Sequence, residues 1–513
     1  MIVITFTNAA ADEMTKRLPG IKFGWIGTLH GFLMRLLMAQ HQLVGLPAKL
    51  SVIDDDQQEQ LVETIVTELK LEKKVKAKGV MEQLKRWDLR GPNTGLVLGA
   101  QGLTREELVA SEYHRRMRQS GLLDFDAILF YGEKLILALD GWHYTHLFVD
   151  EFQDSADADA RVYEAMPCAN KFIVGDPDQS IYSFRGGNVS NILRLAKPHP
   201  MLASEWQTLL LETNYRCAQQ IATAAQLLIE MNSNRYPKAT RAIRIGGQIK
   251  AVECTNQGAE LSIVLQDIQS RGQFNDTAVL CRTNKQAGEF ADHLQANGLP
   301  VASKKYQQTP KDWRAAKLLL TVMTNPWNDL AVHQFLTASR GRPAADKAKQ
   351  EAALAMRPLH EHAMSQAITN QGLTGEFMIG QMVSFEISSE SRERIVDACR
   401  RLPEGWTIPD LLFLLNSGEQ HKEEIGQGVT VTTFHSAKGR EFKHVHIVGA
   451  EQGSIPSDRK GSDLEEDRRV MYVAMTRARD SLTISWCRQR PVPFAPLALR
   501  DYCRSQFVTE AGL

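Results

Sequence analysis

Two hydrophobic periods alternate along this chain. Short β-branched runs at residues 2–6, 147–149, 172–174, 209–211, 278–280, 429–433, 445–448 and 482–485 have the length and composition of buried strands. Between most of them apolar positions recur at helical spacing, as at residues 9–18, 219–230 and 287–297. Strands alternating with helices predict a mainly parallel sheet with helices on both faces. The strands group before and after about residue 217, which predicts two α/β domains. Residues 33–120 and 306–425 carry few strand signals and read as helical insertions. The expected domains are therefore 1–32 with 121–216, and 217–305 with 426–513.

Composition narrows the class without choosing a function. The 513 residues are 43% hydrophobic and 23% charged, ordinary for a soluble globular protein of several domains. Lys+Arg and Asp+Glu are equal at 60, so any surface for an anionic polymer must be a local patch. The seven cysteines are scattered with no C-x-x-C, which argues against zinc or iron–sulfur sites and fits a reducing cytoplasm. No apolar run approaches the ~18 residues of a membrane span. The opening MIVITFTNAAADEM has no basic region or cleavage site and is not expected to be a signal peptide.

Candidate chemistry sits at strand ends. HLFVDEFQD, residues 146–154, ends an apolar run in Asp150, Glu151 and Asp154. Acids there are costly to bury unless a cation meets them. In a doubly wound sheet ligands bind at the carboxyl ends of strands, where one acid can hold Mg²⁺ and a second can orient a water. Solvated turn acids fit the same pattern. In FIVGDPDQSIYSFRGG, residues 172–187, Gln179 follows the next strand and can touch a terminal phosphate. Tyr182, Phe184 and Arg185 come next, the composition of a platform for stacked bases.

These two stretches resemble motifs II and III of the UvrD/Rep-like superfamily 1 DNA helicases. VITFTNAAADEMTKRL resembles motif Ia, GTLHGFLMRLL motif Ib, and LLDFDAIL the segment before motif II. LETNYRC resembles motif IV, VTVTTFHSAKGREFKHVHIVGAEQG motif V and EEDRRVMYVAMTRARDSL motif VI, all in the family's order. The resemblance implies two RecA-like, P-loop NTPase-like domains, each with a helical insertion, driving ATP-dependent 3′→5′ movement on single-stranded DNA. It implies that Asp150 holds Mg²⁺, Glu151 activates water and Gln179 senses the terminal phosphate of ATP. Arg216 and Arg477, from different domains, would clamp that phosphate, with Glu441 near the nucleotide sugar. For DNA it points to Phe6, Thr7, Asn8, His30, Tyr182, Phe184, Arg185, Tyr215 and His435. Expected partners are single-stranded DNA, its junctions with duplex, and an accessory repair or replication protein.

The chain departs from the family at one motif. The phosphate cradle G-x-x-x-x-G-K-[ST] normally precedes motif Ia. No Gly-Lys dipeptide occurs in the 513 residues. The first domain is therefore expected to be incomplete at its N-terminal side, as in a truncated or mis-started helicase. Two alternatives stand beside this: one part of a split motor, and a non-hydrolysing DNA-binding or scaffold protein derived from a helicase.

Overall fold

The computed structural model describes all residues except 73, 89–103, 140–143, 197–205, 304–309, 311, 325–327, 356–358, 360–386, 401, 403–405, 417–426, 460 and 493–494. Parts of both helix-rich segments thus lie outside the described residues. The chain forms two compact units, one of Met1–Asp150, Ala158–Phe172 and Tyr306–His421, the other of Glu151–Asp157, Ile173–Lys305 and Lys422–Leu513.

The first unit holds strands β1 (Ile2–Ile4), β2 (Trp25–Gly27), β3 (Ser51–Val52), β4 (Leu122–Leu123), β5 (Tyr144–Val149) and β6 (Cys168–Ile173). Four of them make a sheet in the order β2-β1-β5-β6. β1 runs parallel to both neighbours, with Ile4 beside Gly27 and Val149. The Asp150 amide extends that ladder by donating to the Ile4 carbonyl at 2.9 Å. Helix Leu29–Gln40 packs on helix Phe125–Ala138 at close range: a Cβ at Gly132 would meet Leu33 at 2.8 Å.

The helical segments share this unit. Ile53, Leu61, Ile65, Val109, Tyr113 and Met117 form the core of the first, and Trp313, Leu319, Val322, Phe335, Ile395 and Leu412 that of the second. The Lys317 ammonium pairs with Asp54, Asn416 donates to the Val52 carbonyl at 2.9 Å, and Asn328 to that of Ser120 at 2.9 Å. Described residues of the second helical segment thus pack with the first. Chain order cannot show this, because the contacts span more than 200 residues.

The second unit holds β7 (Thr213–Ala218), β8 (Arg241–Arg244), β9 (Gln248–Asn256), β10 (Thr277–Cys281), β11 (Val301–Ser303), β12 (Val429–Thr433), β13 (Phe442–Ile447), β14 (Ala478–Val492) and β15 (Ala495–Asp501). Its main sheet runs β11-β12-β10-β13-β14-β15, with β9 also on β14. Every pairing is parallel except β14 with β15. All five residues of β10 are buried, and alternation sends them to two cores. Ala278 and Leu280 join Ile221, Leu228, Phe434 and Met471, whereas Val279 and Cys281 join Val264, Ile268, Phe290 and Leu294.

One expected strand is missing. Residues 209–211 are not in a strand, and Leu211 is 89% exposed. Three adjacent leucines have strand propensity, but extended backbone becomes a strand only where a neighbour takes its amides. Among the described residues none does, and the ladder starts at Thr213.

Candidate functional site

The acidic turn after β5 is built around a strained residue. Glu151 adopts φ 54° and ψ 39°, a left-handed conformation costing a non-glycine residue about 1 kcal/mol. The surroundings hold it there. The Phe152 amide donates to the Val174 carbonyl at 3.0 Å, and the Asp154 amide to that of Glu151 at 3.0 Å. The buried Gln153 amide group donates to the Glu151 carboxylate, while its Oε1 accepts from the Asp176 amide at 3.0 Å. Gln153 thereby ties this turn to the next. Gly175 makes room for it, since a Cβ there would lie 2.6 Å from Gln153 Oε1. Burial pushes the Asp154 carboxyl up to about 6, with the Lys438 ammonium bonded to it opposing the shift.

A cavity of about 500 Å³ in the second unit gathers much of the expected phosphate chemistry. Gln179, Arg216, Glu441 and Arg477 all line it, together with Asp176 and Lys238. Arg477 is the decisive member. Its guanidinium is only 1% exposed and donates to the Val473 carbonyl (2.9 Å), the Arg440 carbonyl (3.3 Å) and Thr476 Oγ1 (3.1 Å). Among the described residues no carboxylate is within ion-pair distance of it. Burial, then repulsion from Arg216, pulls it down to about 10. A buried cation without a counter-charge is expensive, and the cavity beside it is where an anion would repay that cost.

The other charges are already committed. Arg216 pairs with Glu441 at 2.9 Å, and Arg479 with the same carboxylate at 3.2 Å. Hydrogen bonding from Arg216 holds Glu441 below the usual carboxylate range. Gln179 Nε2 donates to Asp176 at 2.8 Å. Burial opposes ionisation of Asp176, and Lys238, Gln179 and the Asp178 amide bonded to it together more than compensate. The sealed Asp178 carboxylate takes Arg235 at 2.8 and 3.1 Å. Arg216 and Arg477, expected from different domains, thus lie in one compact unit. Asp150 ends the other unit's sheet.

The aromatic platform forms in the second unit. Tyr182, Phe184 and His435 meet with ring centroids 5.5–6.4 Å apart, and the Arg185 guanidinium lies 5.5 and 5.9 Å from the first two rings. Phe184 is 65% exposed. Burial and then Arg282, Arg185 and Lys438 push His435 down to about 4, so its ring is neutral at physiological pH. Glu466 fixes the loop by accepting from the Ser183 amide at 3.2 Å and from its hydroxyl.

Not every expected DNA residue joins it. Tyr215, 72% exposed, lines the cavity beside Arg216 instead. Phe6, Thr7, Asn8 and His30 belong to the first unit. There Thr7 caps helix Asn8–Arg17, its hydroxyl accepting from the Ala10 amide at 3.2 Å. His30 packs edge-on against Phe125 at 5.3 Å, and burial keeps it below the usual histidine range, with Asp159 opposing. His30 lies in the first turn of helix Leu29–Gln40, which Thr28 caps.

Sequence reasoning missed the residues that assemble these sites: Gln153, Asp178, Arg235, Lys238 and Lys438. Gln153, Asp178 and Lys438 lie inside the quoted motifs, so a signal existed there. Arg235 and Lys238 carry none.

A family model described as the UvrD/REP helicase N-terminal domain matches residues 1–200. A second, the UvrD-like helicase C-terminal domain, matches 209–341 and 406–489. The chain belongs to the UvrD/Rep-like DNA helicase family. Among curated relatives, DNA helicase II of Salmonella typhimurium is 29% identical over 96% of this chain and 78% of its own length. DNA helicase II of Escherichia coli is 28% identical over the same shares. The ATP-dependent DNA helicase PcrA of Staphylococcus aureus is 27% identical over 96% and 77%. The gap between the two C-terminal matches, 342–405, falls within the second insertion that the sequence of this UvrD/Rep-like chain predicts. No helix among the described residues is long and apolar enough to cross a membrane.

Proposed function

We propose that this UvrD/Rep-like chain is the body of an ATP-driven motor that moves 3′→5′ on single-stranded DNA and opens its junctions with duplex. The observation carrying the reading is the Arg477 guanidinium, buried without a carboxylate and facing a cavity shared with Gln179 and Arg216. That arrangement fits the terminal phosphate of ATP, where charge spreads over the transferred group. Bound ATP·Mg²⁺ would supply the phosphoryl-transfer chemistry. Asp150 would hold the metal, Glu151 would orient the attacking water, and Gln179, Arg216 and Arg477 would bind the phosphate. Tyr215, exposed at the same cavity, suits the face of the nucleobase rather than DNA. Glu441, fixed by two arginines, suits the sugar. Tyr182, Phe184, Arg185 and His435 would stack bases of the strand, and Phe6, Thr7, Asn8 and His30 would extend its path. Stacking tolerates any sequence, which a motor requires.

The cradle G-x-x-x-x-G-K-[ST] is not among these 513 residues. We therefore propose that hydrolysis requires a segment carrying it, from an extended chain or a separate polypeptide. That same observation favours a second reading, a DNA-binding scaffold that does not hydrolyse ATP. Adding a segment that carries the cradle, encoded upstream or co-expressed, separates the two. DNA-stimulated hydrolysis that Glu151→Gln abolishes, with nucleotide binding retained, supports the motor. Continued inactivity with the cradle present supports the scaffold.

A further inference from the structure

Two cations from one loop grip the short turn Pro177–Gln179. Arg235 and Lys238 lie between helix Gln219–Glu230 and β8. Their loop is pinned on its own account. The Glu465 carboxylate accepts from the Ser233 amide at 2.7 Å, Arg469 donates to the Asn234 carbonyl at 3.1 Å, and Gln226 to the Lys238 carbonyl at 3.2 Å. The two side chains therefore arrive at the turn already aimed.

The two ion pairs they make are not equivalent. Arg235 meets Asp178 with two hydrogen bonds, and that carboxylate is fully buried. Neither residue is among those lining the phosphate cavity. Lys238 does line it, and so does its partner Asp176. The Lys238 ammonium is bonded to one oxygen of Asp176 and lies 3.3 Å from Asp178. The Asp178 amide, donating to that same Asp176 oxygen at 3.0 Å, joins the two pairs. The other Asp176 oxygen accepts from Gln179 Nε2 at 2.8 Å. An amide held at one N–H keeps a second N–H and its oxygen for a ligand, in a fixed plane. A carboxylate beside a phosphate site repels the phosphate unless a cation cancels it. Lys238 supplies that cation while its ammonium faces two carboxylates.

We infer that Lys238 is a positioning residue for Gln179. It acts through Asp176, whose charge it cancels so that the acid can hold the Gln179 amide beside a phosphate. Arg235 closes Asp178 and fixes the turn itself. This rests on the reading of the cavity as the terminal-phosphate site, to which it adds the pair that orients Gln179.

Calorimetric titration of the 513-residue chain with a non-hydrolysable ATP analogue and Mg²⁺ tests it, beside a thermal melt of each variant. Lys238→Met is expected to weaken binding about tenfold. Adding Asp176→Asn is expected to recover at least about threefold of that loss, because an amide in place of the acid needs no counter-cation. Asparagine still offers Gln179 an acceptor oxygen, and alanine does not. Asp176→Asn should therefore bind the analogue at least about threefold more tightly than Asp176→Ala, and the difference should vanish on a Gln179→Ala background. This second comparison leaves the lysine in place and decides the matter if Lys238→Met does not fold. A Lys238→Met variant that binds as wild type does overturns the inference. So does a loss that Asp176→Asn leaves unrecovered, which would make Lys238 a direct phosphate ligand. Equal binding by Asp176→Asn and Asp176→Ala, or a difference that persists without Gln179, overturns it as well. Wild-type protein that binds no analogue overturns the reading of the cavity itself, and the inference with it.

Discussion

Arg477 donates its Nε–H to the carbonyl of Val473, 2.9 Å away and one helical turn earlier. The guanidinium of a proposed phosphate ligand is therefore aimed by the end of the preceding helix, Leu464–Met475, and not by a carboxylate. A ligand phosphate would meet a cation already oriented and already desolvated, so little reorganisation opposes binding.

Arg477→Met should separate stability from binding. Replacing an unpaired buried cation with an apolar side chain is expected to leave the melting temperature unchanged or higher. Affinity for a non-hydrolysable ATP analogue should fall at least about tenfold, the loss expected for charge-assisted hydrogen bonds. Thermal unfolding and calorimetric titration read the two effects. A variant that binds the analogue as wild type does removes Arg477 from the phosphate site.

The aromatic platform should divide into a surface member and a structural one. Phe184→Ala is expected to weaken oligo-dT binding by about 1–3 kcal/mol with little change in melting temperature. Tyr182→Ala should cost both binding and stability, because this ring is half-buried against Lys438 and His435. Fluorescence anisotropy beside a thermal melt distinguishes them, and unchanged affinity in the double variant would remove both rings from the strand site.

His435 predicts an acid-side loss of stability. Its folded value, about 4, lies below the ordinary 6.5, so its contribution is fully present above pH 6.5 and lost as pH falls through 4. The sum is at most about 3 kcal/mol. Denaturant titrations between pH 7 and 4 should show a shallower decline for His435→Gln than for the wild type. Equal slopes would mean that the ring is solvated.

Lys317 predicts an effect of the same sign on the alkaline side. Burial pulls it from 10.5 down to about 8, even with Asp54 against it. Stability from the neutral amine is fully present above pH 10.5 and lost as pH falls through 8. The wild type should therefore gain stability between pH 8 and 10, and Lys317→Met should flatten that rise.

The 513-residue chain by itself should show negligible ATP hydrolysis, with or without DNA. Phosphate release measured by a coupled assay checks this. Robust DNA-stimulated turnover would reveal a phosphate cradle of a different kind among these residues.

What the sequence determined is local. Periodicity set the parallel α/β architecture: β1, β5, β10, β12, β13 and β14 fall where the apolar runs lie, and helix Gln219–Glu230 matches its predicted span. Resemblance to the family's motifs brought forward Gln179, Arg216, Glu441 and Arg477, which the fold gathers at one cavity. Tertiary structure decided the rest. It placed Tyr215 with the arginines and Tyr182 with Phe184 and His435, though both are tyrosines inside motifs. It set Lys317, Asn328 and Asn416 against the first helical segment, left residues 209–211 without a ladder, and set Lys438 between an acid and a ring. Apolar spacing records which face of an element is buried, because that follows from a few residues on one helix or strand. Which faces meet across hundreds of residues depends on the packing of the assembled chain, and no local pattern carries that information.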